Sequence, residues 1–442
     1  MAGRITRFIS VNLFKGDIAI WMIYFFLCMV SISEIYSASS TLTYGSGHHW
    51  SPMMSQFGFL VAGLVIILIV HRIPCKYFSL LPVVLVPASI VLLLAAMFVG
   101  GDVNNAARWF TLAGIRFQPS ELAKTSLILA LAVILSKTQQ GYTKQTKHGV
   151  TTVPAAIRGG YSKPFRMCGV LTLVVCGLIC LDNLSTAMML FCVAVVMMFI
   201  GHVPDRLMWK GLGWCALVGT LFVTILLVTP DKALGSVSKR ATTWKHRIEN
   251  KIGISKEKTD RKTITLDEVQ EQETSAKIAI ANSNVWGRGS GNSEWRDFLY
   301  HAESDFIYAI VVEELGILGG LGVLLLYVIL LIRTGRIAQK CDRYFPAFLA
   351  IGLSVMMVVQ AMVNMGVAVG LFPVTGQTLP LISRGGTSIL ITSLNFGMIL
   401  SISRYADAVA EGKLSARTKS EGEGGEEVVS DTDEYFSTVG ID

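Results

Sequence analysis

Apolar residues gather into ten runs along the chain, roughly 17–37, 53–71, 77–100, 119–137, 167–181, 185–201, 209–229, 306–332, 345–371 and 386–403, with polar stretches between them. A helix needs about 17–25 such residues to cross the hydrocarbon of a bilayer. The pattern predicts an all-α, polytopic membrane protein with ten transmembrane helices, of which the fifth and sixth are short. The first run is of spanning length and shows no small-residue cleavage site before the next, so it is expected to stay as a helix rather than be removed as a signal peptide.

Basic residues in short loops orient such a bundle, because Lys and Arg are retained on the cytoplasmic side. Arg4, Arg7 and Lys15 set the N-terminus inside; Arg72 and Lys76, the loop from Lys137 to Arg166, Arg206 and Lys210, and Arg333 to Arg343 then fall on the same side. The opposite side receives the Gly/Ser/His loop near Gly45, the loop with Arg108 and Arg116, the stretch 372–385, and a long segment from 230 to 304. Both termini are therefore expected in the cytoplasm. The domain division is a membrane domain over 1–404, with 230–304 as a large extracytoplasmic loop, and a tail over 405–442.

Composition adds little to that picture but excludes some functions. The chain is 52% hydrophobic and 16% charged, and its net charge of +7 sits in membrane-flanking loops, which topology and anionic lipid explain without nucleic acid. The tail is acidic, with Glu421, Glu423, Glu426, Glu427, Asp431, Asp433 and Glu434 among Gly and Ser, a composition expected to stay disordered unless a partner orders it. The eight cysteines fall in spans or on the cytoplasmic side, where disulfides are not expected.

Charged groups at membrane depth are costly and need a partner or a function. Glu121 and Lys124 in "RFQPSELAK" open the fourth span and share a helix face at i, i+3, which fits a structural ion pair as well as a site. In "NMGVAVGLFPVTGQTLPLISRGGTS" (364–388), Pro373, Gly376, Pro380, Gly385 and Gly386 forbid a continuous helix, and such backbone is tolerated at depth only inside protein or beside a wet cavity. The loop "SNVWGRGSGNSEWRDF" (283–298) has backbone amides that fit a phosphate cradle or a flexible turn. In "HAESDFIYAIVVEELG" (301–316), Ser304 or Asp305 fits a helix N-cap, while Glu313 and Glu314 lie further in and must face protein or water.

Four of these motifs, "FQPSELAK", "GRGSGNS", "AESDFIYAIVVEELGILGG" and "LFPVTGQTLPLISRGGTS", in this order across ten spans, resemble the SEDS family of bacterial shape, elongation, division and sporulation proteins. The stretch 240–250 and the residues before the Gly-rich loop resemble the division branch, FtsW, more than the elongation branch, RodA. The resemblance implies a peptidoglycan glycosyltransferase that polymerises lipid II on the outer face of the cytoplasmic membrane, at the division septum, together with a class B penicillin-binding protein and other division proteins. It implies Asp305 as the catalytic acid, with Arg108, Glu121, Lys124, Arg384 and Ser388 of the "ISRGGTS" loop as substrate-binding residues. The leaving pyrophosphate needs positive charge, from Mg²⁺ or Mn²⁺ or from Arg and Lys. Three departures stand out: the family's "NGxRRW" reads "NNAARW", its usual "QPDxGT" reads "LDNLST", with Asn183 at the customary Asp position, and the Tyr often found in "ISYGG" is Arg384, which adds a positive charge. A lipid-flipping or proton-coupled transporter is the competing class, since buried acids and broken helices serve carriers too.

Overall fold

A computed structural model describes residues 14–38, 50–99, 110–112, 115–139, 142–146, 149–153, 162–203, 205–229, 268–299 and 302–412. Arg108, residues 230–267 and the acidic tail beyond 412 lie outside the described residues. The helices are α1 (Ile18–Ala38), α2 (Ser51–Val70), α3 (Leu81–Val99), α4 (Pro119–Gln139), α5 (Ser162–Asp182), α6 (Leu184–Ile200), α7 (Asp205–Val228), α8 (Glu268–Ala281), α9 (Ile307–Lys340), α10 (Tyr344–Ala368) and α11 (Gly386–Ala410). Among the described residues seven of these are long and apolar enough to cross a membrane, and shorter apolar helices lie at Leu81–Ala96, Phe165–Leu181 and Leu184–Ile200. Together they match the ten apolar runs.

Two features fall outside the all-α expectation. Antiparallel hairpins form between β1 (Phe110–Leu112) and β2 (Ile115–Phe117), and between β3 (Tyr142–Thr146) and β4 (Gly149–Val153). Both lie in connections between apolar helices, and the second is rich in Thr, Val and Tyr, residues that fit a pleated ribbon.

The bundle has an inside and a lipid side that the side chains distinguish. On α9, Leu318, Leu321, Leu325, Ile329 and Ile332 repeat every three or four residues on the exposed face, while Gly320, Val323, Tyr327, Leu330 and Ile337 are buried opposite. An exposed apolar stripe of that length has no place in water and suits acyl chains. The inner helices are α4, α10 and α11, whose buried faces also carry Ser, Thr, Asn and Gln. Close approach comes from small residues: a Cβ on Gly63 of α2 would lie 2.4 Å from Ser393 Oγ of α11, and one on Gly397 would lie 2.9 Å from Val70 Cβ.

The eighth apolar run differs from a plain span of 306–332. The helix runs to Lys340 and is broken inside at Gly316, whose φ of 76° and ψ of 179° are not helical. Its first piece is buried throughout Ile307 to Glu314, whereas the remainder carries the exposed apolar stripe.

Candidate functional site

Asp305 is half-buried in the turn that leads into α9. The N-cap position is taken by Phe306, which makes no side-chain cap hydrogen bond, so neither Ser304 nor Asp305 is the capping residue. What holds the turn is a row of three donors on three successive carbonyls. Arg384 N donates to Glu303 O at 2.8 Å, Ser383 Oγ to Ser304 O at 2.6 Å, and Asn364 Nδ2 to Asp305 O at 2.9 Å. Two of those donors come from the broken segment before α11 and one from α10.

The broken segment, 369–385, is itself fixed by side chains from the helices around it. Asn364 Nδ2 reaches Gln377 O at 2.7 Å, Gln360 Nε2 reaches Thr378 O at 2.9 Å, Asn183 Nδ2 reaches Thr375 O at 3.2 Å, and Ser31 Oγ reaches Ile382 O at 3.0 Å. Non-helical backbone at this depth has carbonyls that lipid cannot satisfy, and these donors satisfy them. Asn183 serves two elements, since its Oδ1 also caps α6 by accepting from Ser185 N and Thr186 N. An Asp there could cap the helix but could not donate to Thr375 O.

Lys124 is fully buried on α4. Its Nζ donates to Glu121 Oε1 at 2.8 Å and to Gln360 Oε1 at 2.7 Å. The i, i+3 pair expected from the sequence thus exists, and Gln360 couples it to the broken segment. Ser388, buried in the first turn of α11, lies 3.3 Å from Thr378 Oγ1. Arg384 is 39% exposed in its side chain and stands 4.0 Å from Glu303 Oε1. So Glu121, Lys124, Arg384, Ser388 and Asp305 are all tied to one segment, and Gln360 and Asn364, one turn apart on α10, link them. Hydropathy overlooks those two residues, because uncharged amides scarcely lower the score of an apolar run.

Glu313 and Glu314 have a different setting. Both are fully buried. Glu313 accepts from Ser293 Oγ at 2.5 Å and from Glu294 N at 3.0 Å; Glu314 accepts from Gly291 N at 2.8 Å, from Ser293 N at 3.3 Å and from Ser37 Oγ. The Gly-rich loop thus turns its amides onto the two carboxylates of α9. It is neither a phosphate cradle nor a free turn. Glu34 of α1, three residues before Ser37, is buried too, and neither of its carboxyl oxygens has a hydrogen-bond partner among the described residues.

A family model described as cell cycle protein, FtsW/RodA/SpoVE, matches residues 17–408. The chain is 30% identical over 396 residues to the probable peptidoglycan glycosyltransferase FtsW of Bacillus subtilis (strain 168), covering 86% of this chain and 88% of that one. It is 32% identical over 359 residues to the probable peptidoglycan glycosyltransferase FtsW of Nitrosococcus halophilus (strain Nc4), covering 78% and 80%. A solved chain from a study of polymerization and crosslinking by a peptidoglycan synthase complex superposes with a TM-score of 0.65 at 25% identity, over 88% of this chain and 98% of that chain. With the match running from the first apolar helix to the last, this chain belongs to the FtsW/RodA/SpoVE family of cell cycle proteins.

Proposed function

We propose that the chain is a multi-pass peptidoglycan glycosyltransferase of the FtsW type, polymerising lipid II on the outer face of the cytoplasmic membrane during septal wall synthesis. Its relatives carry the name peptidoglycan glycosyltransferase FtsW. The observation that carries the reading is the turn of Asp305: a half-buried carboxylate whose backbone is held by three donors, beside a broken segment that bears Arg384 and leads into the α11 turn with Ser388. A carboxylate so fixed suits proton abstraction, which is typically worth about 10²–10⁴-fold.

The reaction is a displacement at the anomeric carbon. Asp305 takes the proton from a sugar hydroxyl, the hydroxyl oxygen forms the new bond to the anomeric carbon, and the bond from that carbon to the pyrophosphate oxygen breaks. The pyrophosphate leaves with its negative charge, for which the part-exposed Arg384 is the available cation. Glu121 and Lys124 form a buried ion pair that Gln360 ties to the broken segment. Among the described residues no group of three or more His, Cys, Asp or Glu side chains is suited to hold a metal ion; Mg²⁺ or Mn²⁺ bound through one carboxylate and the substrate's phosphates would supply the remaining positive charge.

In this reading the chain works beside a class B penicillin-binding protein, which crosslinks the strands it makes; the similarity to a chain of a peptidoglycan synthase complex supports that pairing. The test is polymerisation of lipid II by purified protein, alone and with such a transpeptidase. Asp305→Asn should give folded protein whose polymerisation falls by about 10²-fold or more. Polymerisation at the parent rate would remove Asp305 from the chemistry. Translocation of lipid II across vesicles without any polymer would favour a transporter.

A further inference from the structure

We propose that Asn364 is a positioning residue for Asp305: its side-chain amide sets the place of the acid by holding the Asp305 carbonyl and the Gln377 carbonyl together. Both hydrogens of Nδ2 are used, on Asp305 O at 2.9 Å and on Gln377 O at 2.7 Å. Both partners are carbonyl acceptors, so the amide has one orientation in which the contacts work. Its Oδ1 then points elsewhere, buried and without a hydrogen-bond partner among the described residues. A buried acceptor left alone costs stability. An apolar side chain of the same shape would avoid that cost but would leave the Asp305 and Gln377 carbonyls without this donor, so the amide both satisfies and places the two carbonyls.

The placement matters because, of the three donors on these carbonyls, Asn364 is the one carried by a helix. Arg384 N and Ser383 Oγ also hold it, but both belong to the broken segment, which has no ladder of its own. Asn364 sits on α10, a continuous helix of 25 residues, and Gln360 one turn away fixes Lys124 and Thr378 O from the same face. α10 is thus the rigid reference for both the acid and the Glu121–Lys124 pair. Displacement of a reacting group by about 1 Å can cost about 10²-fold in rate.

This inference rests on Asp305 being the base, and the test separates the two. Purified full-length protein carrying Asn364→Leu, which keeps the volume and removes the donors, is assayed for lipid II polymerisation beside Asp305→Asn and the double variant. The expected result is a fall in kcat of about 10-fold to 10²-fold with KM within about threefold, and no further loss when Asn364→Leu is added to Asp305→Asn. Full activity of Asn364→Leu overturns the proposal while leaving the base intact, and so does an equal loss on both backgrounds, which marks a general structural role. Full activity of Asp305→Asn overturns both. Asn364→Asp, which keeps the shape and presents an acceptor to both carbonyls, is the second variant; loss of folded protein in both assigns the amide to stability alone and also overturns the placement role.

Discussion

Four acids in this chain meet the membrane in three different ways, and each setting predicts a different response to substitution. Glu313 and Glu314 receive donors on their carboxylates, so removing either leaves buried N–H and O–H groups unpaired. Glu313→Ala strips the partner from Ser293 Oγ, Glu294 N and Trp295 N, and should lower stability by about 2–5 kcal/mol, read as a drop in the thermal midpoint in detergent and in the yield of folded protein. Asp305 lies in a turn held through its backbone carbonyls, so Asp305→Asn, which keeps the side chain's size and shape, should leave the fold in place. Among the described residues neither oxygen of Glu34 has a hydrogen-bond partner, and replacing a buried, unsatisfied polar group by an apolar one of similar size is often neutral or stabilising. Glu34→Met should therefore raise the thermal midpoint or leave it unchanged; a clear fall would mean that this acid has a partner the described residues do not include.

At the scale of elements, the fit between the Gly-rich loop and α9 depends on two glycines facing each other. Gly287 and Gly316 have φ of 77° and 76°, and a Cβ on either would come within 2.4 Å of backbone atoms of the other's strand of chain. Arg288 N and Gly289 N donate to Glu313 O and Glu314 O, the carbonyls that the break in α9 frees. Gly287→Ala or Gly316→Ala should uncouple the loop from the helix, lowering folded yield, whereas Gly291→Ala meets open space and should cost only the strain of its own φ. This contact also marks the limit of what the sequence discloses. The ten apolar runs were legible because lipid demands continuous hydrophobicity, and the Glu121–Lys124 pair was legible because its spacing lies within one helix. The break at Gly316 was not, since its cause is a loop some thirty residues upstream that touches it only in the folded chain. Gln360 and Asn364 escaped for a related reason: their meaning lies in carbonyls from two other segments.

At the scale of the whole molecule, the remaining question is which way the bundle stands. Basic residues predict that α8 and the Gly-rich loop are external and that the turn between α9 and α10 is cytoplasmic. The lipid-facing stripe on α9 fits a crossing between those two ends. Trp286, 83% exposed beside the Gly-rich loop, is the better reporter than Gly287, whose backbone is pressed against Gly316. Trp286→Cys should react with an impermeant maleimide in intact cells, and Lys340→Cys, at the other end of α9, should react only after the membrane is opened. The native thiols near that end give little background: burial pushes Cys75 up to about 11 and Cys341 up to about 12, and maleimides attack the thiolate. If Lys340→Cys were labelled from outside and Trp286→Cys were not, Asp305 would face the cytoplasm. A polymerase acting on the outer face would then be impossible, whatever its residues were able to do.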